Sequence, residues 1–591
     1  CDAAIRGAHV PGRARSDSMN NPLPGSPATR IPAERRELTW RALVTGMLIG
    51  AVLTPTNIYS GLKIGWSFNL SITALLLAFA FWRPVQRLLG VAPWERYESN
   101  IAQTTASSAA SIISGGLVAP IPAYLIMSGE SIALLPLCAW VFSVSFLGVW
   151  IAWWLRAPML VNAALPFPVG VATAETIRDT FEHGRAAMLR FWAMLTALAF
   201  AAGFKLVDAW WWSIPRVAPS LKLKQLTFAL DPSLLMLGFG AIIGLRSGLS
   251  LLAGAILAWG VISPRLLETG TVTVASAANG FGPLVEWLIW PGVSLMLMAG
   301  VTSIVGGGRG AARWRITFMR DEGVWALRGF ALAALLTVML QIVLFDIAWF
   351  AAILAIPVAF FLAAVAARVV GETGIAPIGS IGKVAQLGFS LTAPGHAVTN
   401  LMTANVAGGA AGQCADLLND LKTGSLIGAT PWKQAAAQCC GVATGSIVGS
   451  VVFLQMIHSP ETQLLTPEWP APAVAVWKAV ADALADGLGS VPASARWAML
   501  PAAICGIALA LAERLPRAVA RWLPSGTTIG LGFVIPASTS ITVAAGAVLA
   551  AALSHVAPRF AAQFLLAIAA GFIAGESLFG VFLSLADVAG D

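Results

Sequence analysis

Seven ionisable side chains sit inside or beside otherwise apolar stretches, and any chemistry this chain performs starts with them. They are Lys63 in Tyr-Ser-Gly-Leu-Lys-Ile-Gly, Glu175 after a Pro-rich break, Glu372 in Gly-Glu-Thr-Gly, Lys383, Asp416, Asp420, and Glu576 in Ala-Gly-Glu-Ser. A charge at the centre of a bilayer costs about 2.5 kcal/mol or more, so such a group pairs, faces water or has a task. Glu576 has long uncharged runs on both sides. A carboxyl at that depth is costly to keep ionised, which suits a proton carrier; a hydrogen bond to a neighbouring helix accounts for it equally. Glu372 is a second candidate for proton coupling, with an ion pair to Arg368 one turn earlier as the alternative. Glu175 fits either the solute pathway or a helix N-terminus. Lys63 and Lys383 fit the pathway or the ends of snorkelling helices.

Uncharged polar groups extend the set. Asn57, Asn100, Gln103, Asn400 and Asn405 fall in apolar segments, where they either bond between helices or line a polar pathway. The densest stretch runs from Asn405 to Gly424. Its small residues permit close helix packing, and Gln413, Asp416 and Asp420 recur at helical spacing on one face. Lys422 and Lys433 mark that end as cytoplasmic, and an inner gate is favoured over a structural cluster.

No catalytic constellation competes with this reading. The histidines, His9, His183, His396, His458 and His555, are scattered, and no Cys pair has metal or redox spacing. Cys138, Cys414, Cys439, Cys440 and Cys505 read as small buried hydrophobes. Neither a His-Glu-x-x-His helix, a phosphate-binding loop nor a Gly-x-Ser-x-Gly elbow is present. The expectation is therefore no enzyme, cofactor or metal, with energy drawn from an ion gradient.

The elements that must hold these groups are membrane helices. The chain is 58% hydrophobic and 11% charged, with a mean hydropathy of +0.79, against about 25% charged for a soluble protein. At roughly 20 residues per crossing, the apolar segments predict an all-α polytopic membrane protein with about 14–16 spans. The net charge of +8 sits in short loops, as the positive-inside bias requires, and does not point to nucleic acid. Clusters at Arg35, Arg36 and Arg41, at Arg83, Arg87 and Arg96, and at Arg309, Arg313, Arg315 and Arg320 mark the cytoplasmic side; Arg216, Lys222 and Lys224 blur the pattern. Residues 1–37 read as a disordered cytoplasmic tail without a signal peptide, with Met19 as an alternative start.

Several helices are interrupted. The segments 232–245 and 380–393 are too short to cross and predict half-helices or re-entrant loops; Leu165-Pro-Phe-Pro-Val-Gly breaks another. Such breaks persist at membrane depth only where protein or a cavity surrounds them, and they point to a transporter's binding site. Residues 459–495, with Trp469 and Trp477, read as an exposed external loop, either a cap or an inert connection. An internal repeat aligns 231–259 with 523–551 without a gap, pairing Pro232 with Pro524, Gly240 with Gly532 and Gly254 with Gly546. A weaker match sets Asn100-Ile-Ala-Gln against Asn400-Leu-Met-Thr. Two homologous halves follow, 38–320 and 321–591, and an even number of spans in each would make them parallel.

Taken in order, Glu37-Leu-Thr-Trp-Arg-Ala-Leu, Asn57-Ile-Tyr-Ser-Gly-Leu-Lys-Ile-Gly, Asn100-Ile-Ala-Gln-Thr-Thr-Ala-Ser, Leu165-Pro-Phe-Pro-Val-Gly, Gly371-Glu-Thr-Gly-Ile-Ala-Pro-Ile-Gly, the 400–424 stretch and Ile573-Ala-Gly-Glu resemble a bacterial member of the oligopeptide transporter family. That family includes the yellow-stripe metal-chelate transporters of plants. The resemblance implies about sixteen spans in two related halves and proton-driven uptake of short peptides, glutathione-like compounds or metal chelates. It implies that Asn100, Gln103, the broken helix with Glu175 and residues 400–420 face the pathway. Gly371–Gly379 resembles a bacterial subgroup, which weighs against metal chelates. The expected protein is a multi-pass bacterial inner-membrane symporter whose partners are a small solute, protons and lipid. A siderophore-like chelate transporter, a passive channel and a membrane-embedded enzyme are the alternatives.

Overall fold

A computed structural model describes residues 36–590, apart from 66–68, 163–164, 183, 275–279, 308–323, 375–377, 391–394, 486, 488–490, 514 and 517–522. The tail with His9 and Met19, His183, and the Arg309–Arg320 cluster lie outside the described residues. The first half of the chain forms α1 (Trp40–Ile64), α2 (Ser71–Leu89), α3 (Arg96–Ala110), α4 (Pro120–Ser128), α5 (Leu134–Arg156), α6 (Pro168–Glu182), α7 (Gly184–Trp210), α8 (Leu221–Gln225), α9 (Leu234–Ala255), α10 (Ser263–Glu268) and α11 (Phe281–Gly307). Then come α12 (Val324–Phe345), α13 (Trp349–Thr373), α14 (Ile378–Ser390), α15 (Ala397–Ile427), α16 (Pro431–Met456), α17 (Pro460–Gln463), α18 (Pro472–Ala485), α19 (Ala493–Ala512), α20 (Gly526–Gly532), α21 (Ala537–Val556) and α22 (Pro558–Gly590). One isolated bridge, Val217 with Leu230, is the extended pairing among the described residues. The chain is an all-α polytopic membrane protein.

Thirteen helical stretches among the described residues are long and apolar enough to cross a bilayer. The 31-residue α15 is not one of them, because its Asn, Gln, Asp and Lys residues dilute its hydropathy. Thirteen candidates together with α15 make fourteen long helical stretches, within the 14–16 expected from the sequence. At Gly244 (φ 81°, ψ 170°) α9 is broken, and α14 has only 13 residues, so both predicted half-helices are present. The break before α6 is present too. Phe167, at φ 46°, donates its N–H to the Gly371 carbonyl at 2.8 Å, which anchors the irregular backbone on α13.

Two features differ from the sequence reading. The stretch Arg96–Ser128, apolar enough to count as one crossing, is interrupted: a 3-10 turn at Ser111–Gly115 and Gly116 at φ 119° separate α3 from α4. Residues 459–495 are not simply an exposed loop. They contain α18, whose Val474, Val476, Trp477 and Val480 are buried, and the Trp477 ring packs where Gly382 and Gly408 leave room for it.

Hydrogen bonds at helix ends fix the relative directions of α1, α3, α15 and α16. Arg41 in the first turn of α1 bonds Glu98 at the start of α3 and the Ala92 and Pro93 carbonyls. Glu37 accepts from the Thr430 N–H at 3.0 Å, between α15 and α16. These ends share one face, here the N-side. At the other end of α1, Lys63 donates to the Glu468 carbonyl beyond α16; this is the far side.

α3 and α15 therefore run antiparallel. Successive contacts confirm it: Gln103 with Asp420, Ser108 with Gln413, and the Gly115 carbonyl with Asn405. They also occupy equivalent places, α3 packed between α1 and α16, and α15 between α13 and α5. The 231–259 and 523–551 repeats cross one another with exchanged contacts. A Cβ on Gly240 would meet the Val543 oxygen at 1.9 Å, and one on its mate Gly532 would meet Leu251 O at 2.6 Å. Gly254 abuts Ile529 O at 2.2 Å, and its mate Gly546 abuts Leu237 O at 2.0 Å. The offset that carries Pro232 to Pro524 turns each contact into its partner. The repeats are thus related by a two-fold axis lying across the bundle. They are inverted, not parallel, with α12 outside the correspondence.

Candidate functional site

The interior holds two polar regions. The first is a seam where α3 meets α15 and α16. Gln103 Nε2 donates to Asp420 Oδ1 at 3.2 Å, Gln413 Nε2 to Ser108 Oγ at 3.1 Å, and Gln434 Nε2 to the Asp420 carbonyl at 2.7 Å. At its far end Asn405 Nδ2 donates to the Gly115 carbonyl at 3.1 Å and Asn57 Nδ2 to the Ala110 carbonyl at 2.9 Å. Asp416, on the same face of α15, is half-buried and reaches Ser111 and Asn69. Small residues make this approach possible: a Cβ on Gly409 would lie 2.5 Å from the Ser114 oxygen. Within the seam, Asn100 Nδ2, Gln103 Oε1, Gln413 Oε1, Asn419 Oδ1, Asp420 Oδ2 and both amide atoms of Gln438 have no hydrogen-bond partner among the described residues. Each buried unpaired group costs about 1–3 kcal/mol, and this seam concentrates donors and acceptors that the surrounding helices leave unsatisfied.

The second region is a charged cavity of about 70 Å³ on the far side, where α1, α7, α9 and α22 converge. Cations Lys63, Lys205 and Arg216 and anions Asp208, Asp231, Glu468 and Glu576 line it, with Tyr59 and Ser233. Lys205 pairs with Asp208 at 2.8 Å, and Arg216 with Asp231 at 3.4 Å. The Lys63 ammonium lies 4.5 Å from the Trp469 ring centroid. Glu576 Oε1 accepts from Ser233 Oγ and Oε2 from the Leu235 N–H, both at 2.8 Å. The carboxylate thus caps the half-helix at the start of α9, where unsatisfied N–H groups favour a negative charge.

That cap is present in one repeat and absent in the other. Gly238 packs against Ala569 O and Ile573, and its mate Gly530 against Gly292 O and Met296. Three residues further along, Glu576 corresponds to Ala299, which lies against Gly526 at the start of α20.

The sequence-predicted residues divide. Asn57, Asn100, Gln103, Asn405, Gln413, Asp416 and Asp420 come together in the seam; Lys63 and Glu576 meet at the far-side cavity. Asn400 stands apart, donating to the Gln386 carbonyl of α14 at 2.6 Å. Glu372 is exposed and pairs with Arg368 at 2.9 Å, the i,i+4 alternative. Glu175 is exposed, because α6 turns Gly170, Thr173, Ala174 and Ile177 inward instead. Neither glutamate joins the polar interior. Lys383 is buried in α14, with Met296 Sδ at 3.9 Å as its hydrogen-bond contact. Of the cysteines, Cys414 is buried but Cys505 is exposed.

Sequence reading missed Lys205, Asp208 and Asp231. They lie at the end of α7 and in the following connection, where charges look like ordinary headgroup residues. The spacing of Lys205 and Asp208 was the available signal.

Inverted repeats, broken helices and a polar interior at their interface define a membrane transporter. The family model described as OPT oligopeptide transporter protein matches residues 37–321 and 322–586, and the chain belongs to that family. Among its relatives, a Haemophilus influenzae protein whose name includes oligopeptide transporter is 27% identical over 89% of this chain and 92% of its own length. A metal-nicotianamine transporter of Arabidopsis thaliana is 25% identical over 93% of each chain. The iron-phytosiderophore transporter yellow stripe 1 of Zea mays is 25% identical over 93% of this chain and 90% of its own.

Proposed function

We propose that this transporter takes up short peptides or related amino-acid-derived zwitterions in symport with protons across a bacterial inner membrane. The observation that carries this is the far-side cavity, where both signs of charge converge between two repeats. A peptide presents an ammonium at one end and a carboxylate at the other. Asp231 and Asp208 suit the first, Lys63 and Arg216 the second. The seam of α3 and α15, with Asn100, Gln103, Asn405, Gln413 and Asp416, continues the route toward the N-side. Arg41, Arg83, Arg87 and Arg96 collect at the N-side, and the positive-inside bias supports a cytoplasmic position for that face and for the N-terminus. Entry is then from the far side.

Proton coupling is assigned to Glu576. Protonation would cancel the charge that caps α9 and weaken two hydrogen bonds, which ties proton binding to a movement of a broken helix. Glu372, exposed in its pair with Arg368, is the weaker candidate.

Reconstituted protein tests this directly. Di- and tripeptides added outside should draw protons into liposomes, and Glu576→Gln should bind peptide but fail to accumulate it against a gradient. Metal-nicotianamine complexes belong in the same assay, given the plant relatives. Uptake of these chelates with no response to peptides overturns the peptide assignment; solute flux without proton movement overturns the symport.

A further inference from the structure

One short stretch of chain, between α17 and α18, forms a wall of the far-side cavity. Its ends, Leu464 and Ala471, are buried. Its middle, Pro467 and Glu468, is exposed and also lines the cavity, together with Pro470. The stretch holds itself together as a turn: the Thr466 N–H donates to the Trp469 carbonyl at 3.2 Å, and the Trp469 N–H to Thr466 Oγ1 at 3.0 Å. Both ends of this turn bend into left-handed backbone without glycine, Leu465 at φ 62° and Ala471 at φ 39°. Such residues are strained, and they persist only where surrounding contacts hold them.

Those contacts come from α1. Lys63 donates to the Glu468 carbonyl, and its ammonium lies 4.5 Å from the Trp469 ring centroid. Tyr59 meets Trp469 edge-on, with ring centroids 5.3 Å apart. Tyr59 is itself fixed against α22, where a Cβ on Gly580 would lie 2.4 Å from its ring. Lys63 also differs from the other cations of the cavity. Lys205 pairs with Asp208 and Arg216 with Asp231, whereas Lys63 has no carboxylate partner among the described residues and bonds an uncharged backbone oxygen. A carboxylate is the stronger acceptor for an ammonium.

We propose that Lys63 reads the carboxylate of the solute by exchanging acceptors, and that residues 465–471 are a lid which Lys63 latches. This rests on the cavity being the solute site. When the lid opens transiently, a solute carboxylate captures the freed ammonium and keeps it from relatching on Glu468, so the open state gains population. The strained ends at Leu465 and Ala471 relax in that state. A solute without a carboxylate leaves the latch in place.

The full-length protein, purified in a background without native cysteines, tests this through a reporter, Thr539→Cys, buried on α21 at the cavity wall. Its labelling by an impermeant maleimide reads lid opening. Lys63→Met should speed labelling at least about tenfold, as expected for losing one hydrogen bond to a charged group. Lys63→Arg should keep labelling slow, and Trp469→Ala should speed it. Ala471→Gly should slow it, because glycine holds a positive φ without strain. A separate reporter, Glu461→Cys on the exposed α17, should label at one rate in all these variants. Dialanine should speed labelling of Thr539→Cys when Lys63 is present, and dialanine amide should not. Unchanged labelling in both Lys63→Met and Trp469→Ala overturns the lid, whether or not peptides are transported. Equal acceleration by dialanine and its amide overturns the exchange at Lys63. Release by Lys63→Met with no response to either compound upholds the latch and removes the peptide assignment instead.

Discussion

At the scale of single residues, two buried charges behave oppositely. Glu98 is buried, and the Arg41 guanidinium reaches its carboxylate twice, with Thr39 Oγ1 donating at 2.7 Å. Removing one partner of a buried pair strands the other and costs about 3–5 kcal/mol; Arg41 is 21% exposed, which puts the cost at or below the lower end. Glu98→Gln should therefore lower the melting temperature in detergent clearly, and a melting curve like that of the wild type would remove this pair from the account of α1–α3 packing. Lys383 is the reverse case, a buried ammonium with no carboxylate beside it among the described residues. Replacing such a charge by an apolar side chain of similar volume is often neutral or stabilising by about 1–4 kcal/mol. Lys383→Met should raise the melting temperature, and if the charge is kept for transport, uptake should fall in the same variant. A stable, fully active Lys383→Met protein would leave the lysine without a function. Both residues stood out in the sequence or sat next to a quoted motif, because charge in an apolar run is visible without a structure. Which face each would take was not: Glu175 and Glu372 carried the same signal and turn outward.

Among the elements, the broken helices are the part the sequence revealed best, since glycine and proline report directly on backbone conformation. Gly244 ends the half-helix of α9 where the 232–245 segment predicted a stop. The Gly115–Gly116 pair between α3 and α4 carried a comparable signal but lay inside a run apolar enough to pass for one span. α18 was hidden the other way, since prolines and tryptophans near the surface read as loop until Gly382 and Gly408 are seen to admit Trp477. The crossing of α9 with α20 and α21 depends on glycines whose added Cβ would collide with backbone oxygen, 1.9 Å at Gly240 and 2.0 Å at Gly546. Backbone cannot step aside as a flexible side chain can. Gly240→Ala and Gly546→Ala should each push the two repeats apart, lowering both melting temperature and solute uptake. Gly203→Ala in α7, where nothing lies within 4 Å, should stabilise slightly or do nothing, since alanine is the better helix former by about 1 kcal/mol. Equal effects at all three positions would mean that the crossing is not what the glycines protect.

For the whole molecule, the inversion of the repeats has the largest consequence and was the least legible. An alignment of 231–259 with 523–551 gives correspondence but no direction, and span counting failed because half-helices and α12 upset the parity. Only antiparallel contacts such as Gln103–Asp420 and Gly115–Asn405 reveal it. Inverted repeats allow one side to adopt the conformation the other has just left. The 70 Å³ far-side cavity holds only a few waters at about 30 Å³ each, so a solute larger than that occupies it only when the far side opens. Gly65 at the end of α1 and Ala473 at the start of α18 offer a lock, for a Cβ on Gly65 would lie 3.6 Å from that of Ala473, within disulfide range. In a background without native cysteines, Gly65→Cys with Ala473→Cys should abolish uptake when oxidised and regain it on reduction, at some cost from the positive φ of Gly65 (74°). A third cysteine, Asp416→Cys, reports on the other side. If the repeats exchange conformations, far-side locking should raise its labelling by an impermeant thiol reagent supplied from the N-side. A rigid channel with a single far-side gate would lose flux under the same lock while labelling at position 416 stayed constant, and that result would replace alternating access with gating.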